Sequence, residues 1–361
     1  MNNLKELISI ESYKDKETII SYLQNKLENK VKEIEIIKNK ENDDKSILIG
    51  INTLLKDAYK PIVLSGHIDT VNPDFDKYKT NPFKLIDVGG LCYGLGTIDM
   101  KSFTAIIIDN IEKLKKFKTP IIAALTTDEE TNLICIKNVI KRLKELRIKP
   151  YFTIVGEPTN LNFNITSKGC YEYKIEVFGK TCHSSKVEEG INAINVLAKI
   201  ISFIETKQDN YKNLTSNCGI VNGGNMVNRV PDYACLNFDI RTLNTDEKDF
   251  IEIIKQKILE LEKEYFGVVI KLEKLLEILP LTSNNNKNIK DIANLLGVKI
   301  GDFSGGCEAG YYKNYSGEAI IFGVGDISLA HKPNEYVVKS EYEKYSKLLL
   351  KLIKILDKGV N

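Results

Sequence analysis

The sequence predicts an α/β fold in which a mostly parallel sheet is flanked by helices and a smaller α+β domain is inserted. Two observations favour the parallel sheet: short apolar runs without alternation, which suit strands buried on both faces, and segments of helical periodicity between these runs. A third observation favours the insertion. After residue 167, apolar residues alternate with charged ones, which is typical of a sheet with one exposed face.

The elements before residue 167 follow the alternation of strands and helices that a parallel sheet requires. Apolar residues at helical spacing predict helices over residues 4–27, 103–117 and 134–146. Unbroken apolar runs predict strands over residues 46–51, 61–65, 120–126 and 151–155. Because helices separate most of these strands, we expect parallel pairing between them.

The inserted part has a different order of elements. It begins with the alternating strand over 171–178, and its remaining elements are helices over 190–205 and 246–265 and strands over 218–221, 231–241 and 267–272. The first pattern then returns, with a strand over 319–323 and a helix over 340–356. We therefore predict one discontinuous domain of residues 1–166 and 274–361, interrupted by a second domain of residues 167–273.

The composition excludes several classes of protein. The 361 residues include 51 Lys and Arg and 49 Asp and Glu, so neither nucleic acid nor an anionic membrane is an expected partner. Seven cysteines without a C-x-x-C pair argue against a disulfide scaffold or a thiolate zinc site. No signal peptide is apparent, and no apolar run reaches the ~18 residues of a membrane span. We expect a soluble, cytoplasmic protein that acts on a small molecule.

Chemically active side chains follow the predicted strands where the strands end. The strand over 61–65 is followed by His67 and Asp69, the strand over 120–126 by Glu129 and Glu130, the strand over 151–155 by Glu157, and the strand over 319–323 by His331. Because ligands of open α/β sheets bind at the carboxyl ends of strands, these residues are candidates for a single site. Asp69 can accept a hydrogen bond from one nitrogen of His67 while the other nitrogen binds a metal.

Each motif also has a simpler interpretation. His67 and Asp69 can be a polar pair at a strand end, and residues 128–130 can be an acidic loop. Asp99, in the motif YGLGTIDMK, can be the N-cap of the next helix or a bridge between metal ions. The Gly-x-Gly of that motif lacks the third glycine of a dinucleotide-binding loop, so nucleotide binding is not favoured.

Together the motifs favour a site for divalent metal ions. Imidazole and carboxylate ligands without cysteine favour zinc or a neighbouring first-row ion. Two such ions carry four positive charges, of which Asp99, Glu130 and Glu157 offset three and a hydroxide offsets the fourth. A neutral site of this kind is compatible with a partly desolvated cleft.

The motifs GHIDTV, YGLGTIDMK, DEE, GEPT, HSS, NRVPD, DIR and AHKPNEYV run in this order along nearly the whole chain. This set resembles the co-catalytic zinc aminoacylase and metallocarboxypeptidase family, which includes acetylornithine deacetylase and succinyl-diaminopimelate desuccinylase. The resemblance implies a zinc-peptidase-like catalytic domain with two divalent metal ions, Zn²⁺ or alternatively Co²⁺. It implies one ion held by His67, Asp99 and Glu157 and a second held by Asp99, Glu130 and His331.

The resemblance also implies roles for residues around the ions. Asp69 would orient His67, and Glu129 would act as the general base that takes a proton from the attacking water. The peptide bond between Asp99 and Met100 would be cis.

The resemblance further implies that the inserted domain is a dimerisation or lid domain and that the protein is a homodimer. His183 would reach into the partner subunit's active site and stabilise the oxyanion. Arg241 would bind the free carboxylate of the substrate, with Asn228 near the same pocket. Without the resemblance, the three residues would be interpreted as a loop histidine, a surface arginine and a turn residue.

Within the family, the motifs favour acetylornithine deacetylase, which converts N-acetylornithine to ornithine and acetate in arginine biosynthesis. Glu308 could bind the side-chain amine of ornithine, or it could be a carboxylate at a helix start. Succinyl-diaminopimelate desuccinylation and hydrolysis of di- or tripeptides remain alternatives. A non-catalytic binding protein of the same fold is a third possibility, against which the complete ligand set argues.

Overall fold

The computed structural model describes residues 1–40, 42–244, 246–283 and 287–359. Its α-helices are α1 (Asn2–Ile8), α2 (Lys16–Leu27), α3 (Lys101–Asp109), α4 (Ile111–Leu114), α5 (Ile134–Glu145), α6 (Ala193–Gln208), α7 (Asp246–Glu264), α8 (Lys287–Leu296), α9 (Ala309–Tyr315) and α10 (Lys339–Gly359). Its strands are β1 (Glu33–Lys38), β2 (Lys45–Gly50), β3 (Ile62–His67), β4 (Ile86–Val88), β5 (Leu91–Tyr93), β6 (Ile121–Thr126), β7 (Phe152–Val155), β8 (Phe163–Ser167), β9 (Gly169–Phe178), β10 (Leu214–Gly223), β11 (Tyr233–Thr242), β12 (Val269–Ile278), β13 (Leu281–Thr282), β14 (Ile300–Phe303), β15 (Glu318–Ile321) and β16 (Tyr336–Val338).

The first of two compact units comprises Met1–Ser167 and Leu281–Asn361 and is built around one large sheet. The strand order is β1-β2-β6-β3-β7-β15-β8-β13, and β14 pairs with β8. The central strands β6, β3, β7 and β15 run parallel, whereas the antiparallel pairs involve strands outside these four. The predicted mostly parallel α/β sheet is confirmed. Strands β16, β5 and β4 form a separate antiparallel sheet.

The burial of the central strands explains their apolar sequences. Every residue of β3, β6 and β7 is buried, as unbroken apolar runs predict. Helix α3 is buried from Lys101 to Ile108 and lies within the same core, whereas α5 buries only one face. Among the described helices, none combines the length and the apolar character needed to cross a membrane.

Two of the predicted helices are divided in the structure. The helix predicted over 4–27 is two helices, because Asp15 begins α2 by accepting a hydrogen bond from the Thr18 amide. The helix predicted over 103–117 divides at Asn110, whose side chain donates to the Ile106 carbonyl and to Ser346. Strand β1 was not predicted, because it is a partly exposed edge strand without a buried apolar run.

The second unit, Lys168–Pro280, is an α+β unit with its own core. Its four strands are all antiparallel, in the order β10-β11-β9-β12, and fit the predicted insertion. The alternating residues of β9 place Tyr173, Ile175 and Val177 in a core that also contains apolar residues of α6 and α7. The predicted boundary at residue 273 lies inside β12, which continues to Ile278.

Candidate metal centre

The sheet of the first unit brings the predicted ligands together because three neighbouring strands end at the same edge. Strands β6, β3 and β7 are adjacent and parallel. His67 is the last residue of β3, Glu130 lies just beyond β6, and Glu157 lies just beyond β7. Parallel strands that end together place these side chains at one edge, as expected for an open α/β sheet.

The first group of ligands consists of His67, Asp99 and Glu157, all of which are buried. The Nε2 atom of His67 lies 2.8 Å from Oδ1 of Asp99 and 3.8 Å from Oε1 of Glu157. Buried Oε1 of Glu157 has no hydrogen-bond partner within the described part of the chain. An unpaired buried carboxylate oxygen beside an imidazole and a second carboxylate is a suitable ligand set for a divalent cation.

The second group consists of Asp99, Glu130 and His331. The Nε2 atom of His331 lies 3.2 Å from Oδ2 of Asp99 and 2.9 Å from Oε2 of Glu130. Asp99 therefore presents one carboxylate oxygen to each group, which is the geometry of a bridging ligand. The side chain of His331 is about half exposed, so this group is open to solvent.

Asp99 does not serve as a helix cap. The residue at the N-cap position of α3 is Met100, and its side chain makes no capping hydrogen bond. The peptide bond between Asp99 and Met100 is cis, as the family resemblance implies. The simple N-cap interpretation of Asp99 was therefore wrong.

Asp69 contacts both His67 and the acidic loop. The Nδ1 atom of His67 lies 3.2 Å from the backbone oxygen of Asp69 and 3.4 Å from Oδ1 of its carboxylate. The other carboxylate oxygen accepts a hydrogen bond from the Glu130 amide at 3.2 Å. Asp69 thus connects a ligand of the first group to a ligand of the second. An imidazole oriented through Nδ1 leaves Nε2 free to face a metal.

The three consecutive carboxylates at residues 128–130 have separate environments. Asp128 points away from the centre and accepts hydrogen bonds from the amides of Ile134 and Cys135 at the start of α5. Glu130 contacts His331. Glu129 is neither a helix cap nor a member of either ligand group, which leaves its carboxylate available for another role.

The pKa values of the site show a surplus of carboxylates. Burial raises the pKa of Glu129 well above its ordinary value, and the charges of Glu157 and Glu130 add to this rise. Burial likewise raises the pKa of Glu157, and the charge of Asp99 adds to it. Burial opposes ionisation of Asp99 as well, but hydrogen bonds from His331 and His67 keep its pKa low. Divalent cations would offset this crowding, so the residues present fit two metal ions.

Glu308 is placed differently from the substrate-binding role that the motifs suggested. It precedes α9 and is buried, and its side chain makes no capping hydrogen bond there. Its carboxylate accepts hydrogen bonds from Ser65 of β3, at 2.6 Å, and from Thr126 of β6. Both carboxylate oxygens are therefore occupied within the core, beneath the strand ends that carry the ligands. The position of Glu308 at the start of α9 agrees with the alternative of a helix-start carboxylate, and its hydrogen bonds with Ser65 and Thr126 were not predicted.

The remaining predicted site residues lie in the second unit. His183 is exposed, and its Nδ1 lies 2.8 Å from the hydroxyl of Ser185. The loop of His183 is adjacent to that of Asn228, because the Ser184 amide donates to the Asn228 carbonyl. Arg241 lies on β11, and its Nε donates to Asp239 at 2.8 Å. The structure thus brings His183 and Asn228 into neighbouring loops, while Arg241 has an ion-pair partner within its own unit.

A third group of possible ligands, Cys170, Glu172 and Asp239, also lies in the second unit. We assign no ion to it. Burial raises the pKa of the Cys170 thiol to about 12, so the thiol stays protonated, and it contacts Asp239 at 3.3 Å. Asp239 is already paired with Arg241.

The sequence interpretation missed residues that support the ligands from behind. Glu335 accepts hydrogen bonds from the loop that carries Asp99. Ser65 and Thr126 bind Glu308. Glu335 lies within the AHKPNEYV motif only four positions after His331, and this proximity was the one available indication.

Comparison with known proteins identifies the family. Residues 63–355 match the model of Peptidase family M20/M25/M40. The acetylornithine deacetylase of Buchnera aphidicola subsp. Acyrthosiphon pisum (strain Tuc7) is 32% identical over 307 residues, which cover 81% of this chain and 80% of that protein. A tripeptidase from Staphylococcus aureus subsp. aureus Mu50 matches the fold with a TM-score of 0.78 at 22% identity, covering 99% of this chain and 97% of its own. A dinuclear metal-binding M20 peptidase of Bacillus subtilis matches with a TM-score of 0.68 at 16% identity, covering 99% and 97%.

The family match and the paired ligand groups define an amide hydrolase with a candidate dinuclear metal site. The chain belongs to peptidase family M20/M25/M40. The family resemblance inferred from the ordered motifs is confirmed.

Proposed function

We propose that the protein is an N-acyl amino acid deacylase that converts N-acetylornithine and water to ornithine and acetate, a step of arginine biosynthesis. The observation that carries the proposal is the pair of ligand groups sharing Asp99 in a chain 32% identical to an acetylornithine deacetylase. We infer that the two ions are Zn²⁺, with Co²⁺ as an alternative, because the ligands are imidazoles and carboxylates without cysteine.

His67, Asp99 and Glu157 would hold one ion, and Asp99, Glu130 and His331 the other. When bound, the two ions supply positive charge that lowers the pKa of a water molecule and polarises the carbonyl group of the amide. The short contacts of Asp99 with both histidines support its role as the shared ligand.

Glu129 is the proposed general base. It lies beside the ligand groups without belonging to them, and burial among other carboxylates raises its pKa, which favours accepting a proton. As the water oxygen bonds to the amide carbon, Glu129 takes a proton from the water. It then donates that proton to the nitrogen as the C–N bond breaks, so that the acid and the amine are released.

The remaining proposed roles belong to residues of the second unit. We propose that His183 donates a hydrogen bond to the oxyanion in the partner subunit's active site and that Arg241 and Asn228 bind the free carboxylate of the substrate. The exposure of His183 and the adjacency of its loop to that of Asn228 support this role. Arg241 would have to exchange its bond with Asp239 for one with the substrate, or share its guanidinium between them.

We further propose that the second unit mediates a homodimer. Strand β10 lies at an edge of the four-stranded sheet, and Ile220 and Val221 on it, together with Met226 and Val227 beyond it, are exposed. An edge strand with exposed apolar side chains can pair with the same strand of a second copy about a two-fold axis. In sedimentation experiments, Val221→Lys should shift the protein from dimer to monomer. Val269→Lys, on the opposite edge strand β12, is the matched control and should leave the dimer intact.

We infer that the protein is located in the cytoplasm, a reducing compartment, because all seven cysteines are free in the structure.

Initial rates on a panel of substrates test the proposed reaction. The panel contains N-acetylornithine, succinyl-diaminopimelate, a dipeptide and a tripeptide, each measured with defined Zn²⁺ or Co²⁺. We expect kcat/KM to be at least about 10-fold higher for N-acetylornithine than for the others. A preference for succinyl-diaminopimelate or for a peptide would replace the proposed substrate within the same chemistry. Absence of metal-stimulated hydrolysis across a broader N-acyl amino acid panel would favour a binding protein.

A further inference from the structure

Glu335 is a buried carboxylate that neither ligand group includes. It lies between His331 and β16, and only 1% of its surface is exposed. Its Oε1 accepts hydrogen bonds from the amides of Ile98, at 2.7 Å, and Asp99, at 3.3 Å, and from the Thr97 hydroxyl at 3.3 Å. Its Oε2 accepts from the Gly96 amide at 3.1 Å. One side chain therefore binds the whole loop that leads into Asp99.

The backbone on both sides strengthens this connection. The Gly94 amide donates to the carbonyl of Glu335 at 3.0 Å, and β16 pairs with β5 immediately before the loop. Gly96 has a φ of +83°, a conformation that favours glycine and allows consecutive amides to face one acceptor. The loop is thus shaped around the carboxylate.

The nearby buried ammonium group has other partners. Lys101 is buried at the start of α3, but its Nζ donates to the carbonyls of Leu7, at 3.1 Å, and Ile10, at 2.8 Å. The donors to the Glu335 carboxylate are therefore the loop amides and the Thr97 hydroxyl. Removing the carboxylate would leave buried amides without an acceptor, and the loop would have to move to satisfy them.

We propose that Glu335 is a positioning residue that holds Asp99 between His67 and His331, so that both metal ions can share it. The inference rests on the proposed metal-dependent function. Asp99 can bridge only if its two carboxylate oxygens keep their separate contacts, 2.8 Å to His67 and 3.2 Å to His331. Because His331 and Glu335 lie on one loop, Glu335 also fixes one ligand of the second ion relative to the other.

A carboxylate suits this position better than the isosteric amide. Each oxygen of a carboxylate accepts, so one end can face Gly96 while the other faces Ile98 and Asp99. A glutamine would direct its NH₂ group at an amide donor at one of these ends. Glu335→Gln therefore preserves the side-chain volume while breaking the hydrogen-bond pattern. A loss of metal affinity in this variant would result from the altered hydrogen bonds and not from a change in packing.

The test compares metal affinity in the full-length wild-type protein, in Glu335→Gln and in Glu335→Asp, by competition of Zn²⁺ with a chromophoric chelator. Glu247→Gln is the control, because Glu247 is a buried carboxylate in the second unit that binds Tyr173 and Lys274. We expect Glu335→Gln to weaken binding of at least one ion by roughly 10- to 100-fold, as for other groups that orient metal ligands. The control should bind both ions as the wild type does.

Folding is checked by circular dichroism. If Glu335→Gln does not fold, the metal affinity of Glu335→Asp tests the inference instead. Aspartate keeps the charge but is one methylene too short to reach both ends of the loop. Wild-type metal affinity in a folded Glu335 variant would overturn the inference. The result of this metal-binding test does not depend on the proposed substrate. Inactivity of the wild-type protein on every N-acyl amino acid would contradict the proposed function, but the comparison of metal affinities would remain valid.

Discussion

Replacing Glu308 with glutamine should change how the stability of the metal-free protein depends on pH. Burial raises the pKa of Glu308 from 4.5 to about 7, despite the hydrogen bonds from Ser65 and Thr126. A carboxyl whose pKa is higher in the folded state binds its proton more tightly there. Its contribution to stability is therefore fully present below about pH 4.5 and is lost as the pH rises through about 7.

The size of the effect follows from the shift. At about 1.4 kcal/mol per pKa unit, a rise from 4.5 to about 7 corresponds to roughly 3 kcal/mol of unfolding free energy, most of which is lost between pH 5 and pH 8. Glutamine does not ionise, so Glu308→Gln lacks this loss. Its amide can still bond to Ser65 and Thr126, because a hydroxyl both donates and accepts.

Urea unfolding of chelator-treated protein, followed by circular dichroism at pH 5 and pH 8, measures the difference. The transition whose midpoint moves when Zn²⁺ is added reports the unit that carries the metal centre. Between these pH values, the wild type should lose about 2 to 3 kcal/mol more than Glu308→Gln. Glu112→Gln, a surface change in the same unit, should follow the wild type. Parallel pH profiles for the wild type and Glu308→Gln would refute the reasoning from burial.

Further predictions concern the proposed chemistry. Glu129→Gln should lower kcat by about 10²- to 10⁴-fold with metal content unchanged, as measured by steady-state kinetics and mass spectrometry of bound metal; loss of metal would instead make Glu129 a ligand. His67→Ala and His331→Ala should each lose metal, whereas His183→Ala should keep both ions and lose roughly 10²-fold in kcat. Chelation should abolish hydrolysis and lower the unfolding free energy of the first unit by about 3 kcal/mol for each ion removed, relative to protein with metal at 100 times the Kd of each site, and an unchanged urea midpoint would contradict this.

The parts of the site that the sequence predicted are those governed by strand topology. Apolar runs predicted β3, β6 and β7. Because ligands of open α/β sheets bind at the carboxyl ends of strands, the residues just beyond these strands were predicted to form one site. The placement of His67, Glu130 and Glu157 at one edge follows from parallel pairing alone. The identity of the bridging ligand came from the family resemblance, because spacing could not separate a cap from a bridge at Asp99.

The parts that the sequence did not predict depend on hydrogen bonds between distant segments. Asp128, Glu129 and Glu130 are alike in sequence, and only the start of α5 determines that Asp128 turns away to bind amides there. The division between α1 and α2 likewise depends on a local side-chain bond by Asp15, which competes with continued helix. Hydrophobic periodicity predicts which residues face the core, but it does not predict side-chain hydrogen bonds of this kind.

The two buried carboxylates from the last part of the chain show how the ligand set is supported. Glu308 binds the side chains of two strands that lead to His67 and Glu130, whereas Glu335 binds the backbone of the loop that leads to Asp99. Neither oxygen pair is free to bind metal, since each already accepts hydrogen bonds from the protein. An acid-rich site of this kind would use its carboxylates in two ways: those of the two ligand groups would face the proposed cations, and those behind them accept hydrogen bonds from the protein in place of solvent. Burial alone cannot distinguish the two kinds, but the contacts of Glu157, Glu308 and Glu335 differ: Oε1 of Glu157 has no hydrogen-bond partner in the described part of the chain, whereas both oxygens of Glu308 and of Glu335 accept hydrogen bonds from the protein.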